Sequence, residues 1–134
     1  MSSLGIIIVD HGSRSEDSNR LLEEVARRFA TRYAENSLIV EPAHMELAEP
    51  SIAQAYERCV ARGCHDIIVC PYFLGPGKHW QSDIPRLVQE AAQQFPETSW
   101  HVTAPLGVDD LILNLLAKRI GESLAFAVGE GKLA

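Results

Sequence analysis

The run Leu4-Gly5-Ile6-Ile7-Ile8-Val9 restricts the fold of this chain more than any other stretch. It is unbroken and mostly β-branched, with no polar residue in alternate positions. A strand of that kind has no face to offer water and belongs in a parallel sheet covered on both sides. Parallel pairing in turn demands a long crossover after each strand, usually a helix. The run stops at Asp10-His11-Gly12-Ser13-Arg14, where Gly12 permits a tight turn and Ser13 or Ser15 can cap a helix.

The remaining chain repeats that plan. A helix is predicted from about Glu16 to Tyr33, with Leu21, Leu22, Val25, Ala26 and Phe29 in one apolar stripe. Ser37 to Ala43 reads as the second strand, and His44-Met45-Glu46-Leu47-Ala48-Glu49-Pro50 as a loop rich in metal or proton ligands. Pro50 suits the first turn of a helix that turns Ile52, Ala53, Ala55, Tyr56, Cys59 and Val60 inward and stops at Gly63. The third strand, Asp66 to Pro71, feeds a loop broken by Gly75-Pro76-Gly77. A helix-like segment carrying His79 follows, and the third helix is predicted over Ile84 to Phe95. Trp100 to Ala104 makes the fourth strand.

The last helix, from about Asp109 to Val128, is apolar on most sides. Asn114, Lys118, Arg119 and Glu122 interrupt it, so no membrane span is expected. It is expected to pack on the sheet and on a neighbour, a second copy of the chain. Residues 129–134 read as a flexible tail. Four β-α repeats with right-handed crossovers predict an α/β fold: one domain, 1–134, built on an open four-stranded parallel sheet flanked by helices on both faces.

Such a sheet gathers its loops at the strands' carboxyl ends. His11, His44, Glu46 and the loop from Gly75 to His79 all follow strand ends, so one rim should hold them all. Imidazole nitrogens and a carboxylate on one rim suit Fe²⁺, Co²⁺, Ni²⁺ or Zn²⁺. Asp83, four residues after His79, can fix the tautomer of that histidine. The spacing leaves His44 open: Glu46 can be the working group while His44 packs. His65 and His101 read as structural or surface residues, while Phe73 and Trp80 are either core or an apolar wall for a flat ligand.

Bulk properties exclude several functions. A net charge of −6 argues against nonspecific binding to nucleic acid or to an anionic membrane, so an anionic ligand would need locally gathered cations. Met1-Ser2-Ser3-Leu4 lacks a charged n-region, and no signal peptide is expected. Three cysteines without a Cys-x-x-Cys pair fit a reducing compartment better than a disulfide framework or a cysteine-only zinc site. Gly75-Pro76-Gly77-Lys78 lacks the Walker spacing, no G-x-G-x-x-G follows the first strand, and Asp10 stands where His-Gly phosphatases carry arginine.

Four ordered motifs carry a family resemblance over about Leu4 to Arg119. They are Val9-Asp10-His11-Gly12-Ser13-Arg14; Glu41 to Ile52; Pro71-Tyr72-Phe73-Leu74 with Gly77-Lys78-His79-Trp80 and Asp83-Ile84-Pro85; and Ala104-Pro105-Leu106-Gly107. Together they resemble the short class II sirohydrochlorin chelatases. Ala43-His44-Met45-Glu46 is similar to the plant and cyanobacterial ferrochelatase branch, since cobalt-type relatives more often have an aromatic in place of His44.

The resemblance implies a chelatase-like (flavodoxin-like) fold and insertion of Fe²⁺, Co²⁺ or Ni²⁺ into sirohydrochlorin, for sirohaem or on the cobalamin route, without ATP. It implies that His11 and His79 handle the metal and that Glu46 accepts protons or steers the ion. Arg14 and Lys78, and also Arg86, would meet the eight carboxylates of the macrocycle. His44, Phe73, Leu74, Gly77 and Trp80 would contact it. It also implies a homodimer in the cytoplasm, or in the plastid stroma for a plant-type source. No permanently bound cofactor is implied; the divalent metal is a substrate. No cysteine follows Cys70, so no iron–sulfur cluster is expected. Two other classes compete: a non-catalytic metal or tetrapyrrole carrier, which would stop at one equivalent of product, and a flavin-binding module, which expects a Ser/Thr-rich phosphate loop after the first strand.

Overall fold

In a computed structural model of the chain the described residues are 3–124, without the side chains of 78–80. The elements run β1 (Leu4–Asp10), α1 (Glu16–Arg32), a short 3₁₀ turn (Ala34–Asn36), β2 (Leu38–His44), α2 (Ile52–Ala61), β3 (Asp66–Pro71), α3 (Lys78–Ala92), β4 (Ser99–Val102) and α4 (Asp110–Leu124). The four strands form one parallel sheet in the order β2-β1-β3-β4.

That order decides which face each helix takes. The chain steps from β1 to β2 in one direction, then back across β1 to β3 and onward to β4. Right-handed crossovers made in opposite directions lie on opposite faces, so α1 covers one side while α2 and α3 cover the other. The alternation within β1 shows the result. Ile6 and Ile8 pack with Leu22 and Ala26 of α1, whereas Ile7 and Val9 pack with Ile52, Tyr56, Ile84 and Val88 of α2 and α3. This two-sided burial is what the unbroken apolar run of β1 anticipates.

At the amino end of β1, Gly5 faces closely packed neighbours on the α2 side. A Cβ there would lie 3.1 Å from Ile67 Cγ1 and 3.2 Å from both Cys59 Sγ and Cys64 Sγ. Those three neighbours are buried and have little room to retreat. Overpacking costs roughly 1–3 kcal/mol, and the lower entropy of the unfolded alanine chain returns about 0.4–1 kcal/mol. Gly5→Ala is therefore expected to lose about 1 kcal/mol net, read as a lower urea midpoint at unchanged m. An unchanged midpoint would show that the α2 side gives way more easily than its burial implies.

Several boundaries differ from expectation for local reasons. Pro50 does not enter a helix: Ser51 caps α2, accepting from Gln54 N–H at 3.1 Å while its own N–H donates to Gln54 Oε1 at 2.8 Å. That reciprocal pair fixes the start of the helix at Ile52, two residues after the proline. Helix α3 begins at Lys78 rather than Ile84 and runs through Pro85. The lost hydrogen bond at Pro85 is offset by the packing of Ile84 and Val88, both fully buried.

Helix α4 corrects one expectation in part. Leu111, Leu113, Leu115, Leu116, Ile120 and Leu124 are all exposed, and Gly121 is its one buried residue among those described. It therefore does not lie on the sheet. Residues 125–128, where the helix was also expected, and the tail 129–134 lie outside the described residues. No helix among the described residues is long and apolar enough to cross a membrane.

Candidate metal-handling site at the carboxyl rim

β1 and β3 are neighbours, yet their following helices depart to opposite faces. Where adjacent strands part in this way the sheet opens a crevice at its carboxyl edge. The residues just after β1, β2 and β3 surround that crevice.

The β1 and β2 ends are held together beyond their last paired residues. Asp10 lies opposite His44 in the parallel register. Pairing then continues, with Met45 N–H donating to the Asp10 carbonyl at 2.8 Å and Glu46 N–H to the His11 carbonyl at 3.0 Å. Gly12 makes this approach possible. Its φ is +91°, and a Cβ on it would lie 1.8 Å from the Glu46 carbonyl oxygen. Downstream, Ser13 N–H donates to Asn19 Oδ1 at 3.0 Å and Asn19 Nδ2 to the Ser13 carbonyl at 2.7 Å, tying the turn to α1.

This backbone frame presents His11 to Glu46. His11 Nε2 is 3.1 Å from Glu46 Oε1, with both side chains about half exposed. Its Nδ1 faces the Gly12 carbonyl at 3.3 Å. Both ring nitrogens thus point at oxygen acceptors, an arrangement that calls for positive charge. A divalent ion shared by a nitrogen and a carboxylate supplies it. The pair can hold a cation and can also take up protons.

The third contributor begins at Gly77, the N-cap of α3, whose carbonyl accepts from Gln81 N–H at 3.1 Å. His79 belongs to the first turn of α3, across the crevice from β1. Its side chain, with those of Lys78 and Trp80, lies outside the described residues, so the expected roles of all three stand beyond this geometry. Asp83, expected to orient His79, meets Arg86 Nη2 at 3.5 Å, and Arg86 Nη1 donates to Glu90 at 3.1 Å. Hydrogen bonds to Glu90 and then Asp83 raise the Arg86 pKa. Arg86 is therefore engaged along its own helix, and the expectation that it serves a ligand's carboxylates is not supported. Arg14 is exposed and makes no ion pair among the described residues.

His44 needs a correction. It is fully buried, so a macrocycle resting on the rim cannot touch it. Its Nδ1 lies 2.6 Å from Asp10 Oδ1 instead. The apolar residues divide similarly. Phe73 packs against the core, while Leu74 is 71% exposed. Leu47, Tyr72 and Leu106 are also exposed on strand-end loops, and Leu106 N–H donates to the Phe73 carbonyl at 2.9 Å, joining two of those loops. These three were missed in the sequence. Tyr72 and Leu106 stand inside the motifs Pro71-Tyr72-Phe73-Leu74 and Ala104-Pro105-Leu106-Gly107, and Leu47 within Glu41 to Ile52, but none was singled out as a site residue. His65 and His101 are exposed, as expected of surface residues.

The three cysteines are free thiols. Burial foremost pushes Cys59 up to about 12 and also raises Cys64 and Cys70. They are poor thiolate ligands and contribute nothing to the rim.

A family model described as CbiX matches residues 5–123 of the chain. The chloroplastic sirohydrochlorin ferrochelatase of Arabidopsis thaliana is 48% identical over 126 residues, covering 94% of this chain and 55% of that protein. A sirohydrochlorin cobaltochelatase of Priestia megaterium is 31% identical over 121 residues, covering 88% and 38%. The chain thus spans about half the length, or less, of these curated relatives. Among solved structures, the sirohydrochlorin chelatase SirB from Bacillus subtilis subspecies spizizenii in complex with cobalt superposes with a TM-score of 0.78 at 26% identity, covering 90% of this chain and 50% of that one.

Proposed function

The chain belongs to the CbiX family, and on that premise we propose that it is a sirohydrochlorin chelatase. It takes Fe²⁺, with Co²⁺ and Ni²⁺ as alternatives, and inserts it into the macrocycle in exchange for two pyrrole protons. The observation that carries this reading is the His11–Glu46 pair, a nitrogen and a carboxylate 3.1 Å apart at the open edge of the sheet.

The chemistry asks for little else. The ion must be held loosely enough to be surrendered, and an exposed two-group site does that better than a closed cage. As the metal leaves for the pyrrole nitrogens, the imidazole and carboxylate it vacates are bases close to the released protons. The exchange of a divalent cation for two protons conserves charge, and the absence of a nucleotide motif in the sequence supports a reaction without ATP. His79 completes the pair across the crevice. Arg14 and Lys78 meet the macrocycle's carboxylates. Leu74, with Leu47, Tyr72 and Leu106, offers the flat ring an apolar seat, to which Phe73, Gly77 and Trp80 also contribute.

The six exposed apolar side chains of α4 support a homodimer formed through that helix. Three free cysteines support a reducing compartment, the cytoplasm or the plastid stroma. The product serves sirohaem or cobalamin synthesis according to the metal.

Turnover tests the proposal. Anaerobic sirohydrochlorin mixed with limiting Fe²⁺, Co²⁺ or Ni²⁺ is expected to give many equivalents of metallated product per protein, followed by absorbance. A stop at one equivalent would identify a carrier and overturn the enzyme reading.

A further inference from the structure

His44 is the one polar residue buried completely in the core among those described, and the cation-handling pair makes no use of its side chain directly. Its surroundings are specific. Nδ1 meets Asp10 Oδ1 at 2.6 Å, and against a carboxylate oxygen the ring nitrogen must be the donor. Nε2 has no hydrogen-bond partner among the described residues; Glu23 Oε2 of α1 lies 3.9 Å away, beyond hydrogen-bond reach. The backbone of His44 is equally engaged. Its N–H donates to the Pro50 carbonyl at 2.8 Å, and it forms a parallel bridge with Ser51, so the loop carrying Glu46 closes at this residue.

Two uses of this ring can be set aside. Direct contact with a ligand requires exposure that His44 lacks. A buried metal centre requires converging ligands, and no group of three or more histidine, cysteine or carboxylate side chains converges among the described residues.

What remains is the link to Asp10. That residue ends β1 and immediately precedes His11, while His44 ends β2 and stands two residues before Glu46. The Asp10 side chain is 23% exposed, so most of its hydration is lost and the His44 N–H replaces it. Deprived of that donor, the carboxylate must turn toward water. Water is available at the rim, and a carboxylate turned toward it no longer ties the end of β1 to the end of β2 beside His11.

We propose that His44 is a positioning residue which, through the buried Nδ1–Asp10 hydrogen bond, holds the β1 end in the register that brings His11 to Glu46. It touches neither metal nor macrocycle. This inference rests on the chelatase reading for its kinetic consequence, though its geometric consequence can be measured without turnover.

The test compares three variants. His44→Phe keeps a ring of similar volume and removes both nitrogens. His44→Asn places an amide N–H close to the position of Nδ1, and His44→Gln places one nearer Nε2. His44→Phe is expected to lower kcat at least about tenfold, since a misplacement near 1 Å can cost about a hundredfold, with KM for sirohydrochlorin changed less than about twofold. His44→Asn is expected to recover most of kcat, and His44→Gln little of it. In parallel, ¹H–¹⁵N spectra of the His11 imidazole should shift in the Phe and Gln variants and return toward wild type in the Asn variant. If His44→Phe fails to fold, the contrast between Asn and Gln decides. Equal impairment by Asn and Gln, a folded His44→Phe with wild-type kcat, or an undisturbed His11 spectrum in the Gln variant would overturn the proposal. Because the spectra need no substrate, a wild-type protein without turnover would sink the chelatase reading and still leave the positioning role decided.

Discussion

His11→Ala is expected to slow metal insertion by about 10²–10⁴-fold while the protein stays folded. The ring is about half exposed and its polar contacts are the Gly12 carbonyl and Glu46. Its removal therefore opens no cavity in the core, and stability should change by less than about 0.5 kcal/mol. The rate should fall because Glu46 left alone has no nitrogen with which to share an ion, and one proton acceptor is lost. Initial rates with anaerobic sirohydrochlorin and limiting Fe²⁺ or Co²⁺, beside a thermal melt, provide the check. Pairing His11→Ala with Glu46→Gln sharpens it: two groups acting on one ion should show losses well short of additive. A folded His11→Ala that keeps more than about a tenth of the wild-type rate would remove His11 from the chemistry.

Gly12→Ala should damage the same site from the backbone side, and here both activity and stability are expected to fall. A Cβ 1.8 Å from the Glu46 carbonyl oxygen cannot be accommodated by rotating a side chain, because the obstacle is main chain. The two strand-end loops must part. Parting them breaks the reach of Glu46 N–H to the His11 carbonyl and separates the imidazole from its carboxylate. The left-handed φ of +91° adds strain of roughly 1–3 kcal/mol for any residue with a side chain. A loss of about a hundredfold in kcat is expected if the pair separates by near 1 Å, with a melting temperature several degrees lower. A stable Gly12→Ala protein with wild-type kinetics would mean that the closeness of the two loops does not matter to the reaction. The two experiments differ usefully: His11→Ala tests a chemical group, and Gly12→Ala tests the frame that aims it.

Much of the fold was legible because it rests on patterns that local physics enforces. A β-branched run without polar alternation cannot be satisfied at a water-facing surface, and β1 lies at the centre of the sheet with Ile7 and Val9 fully buried. The stripe of α1 was legible in part: Leu22 and Ala26 turned inward and Phe29 packs beside them, whereas Leu21 stays exposed. Helix starts were less legible, because Ser51 outcompetes Pro50 only through a reciprocal contact with Gln54. The last helix misled, since apolarity says that a surface will be covered and not by what.

The site divides along the same line. That His11, Glu46 and the start of α3 should share a rim follows from strand–helix alternation alone, because every loop after a parallel strand leaves from one edge. Sequence patterning therefore determined the fold class, the edge at which the strand-end loops gather, and the residue types on it that the proposed chemistry would use. Tertiary structure decided the partners. Strand order alone could show that β1 neighbours β3 and that their helices part, since that order depends on nonlocal packing. Only the register of β1 against β2 could oppose Asp10 to His44, bury that imidazole beneath the rim and leave Glu46, two residues on, beside His11. Spacing along a chain cannot choose between those two outcomes, because His44 at the end of β2 and Glu46 just past it stand only two residues apart; the choice lies in where the neighbouring strand stops.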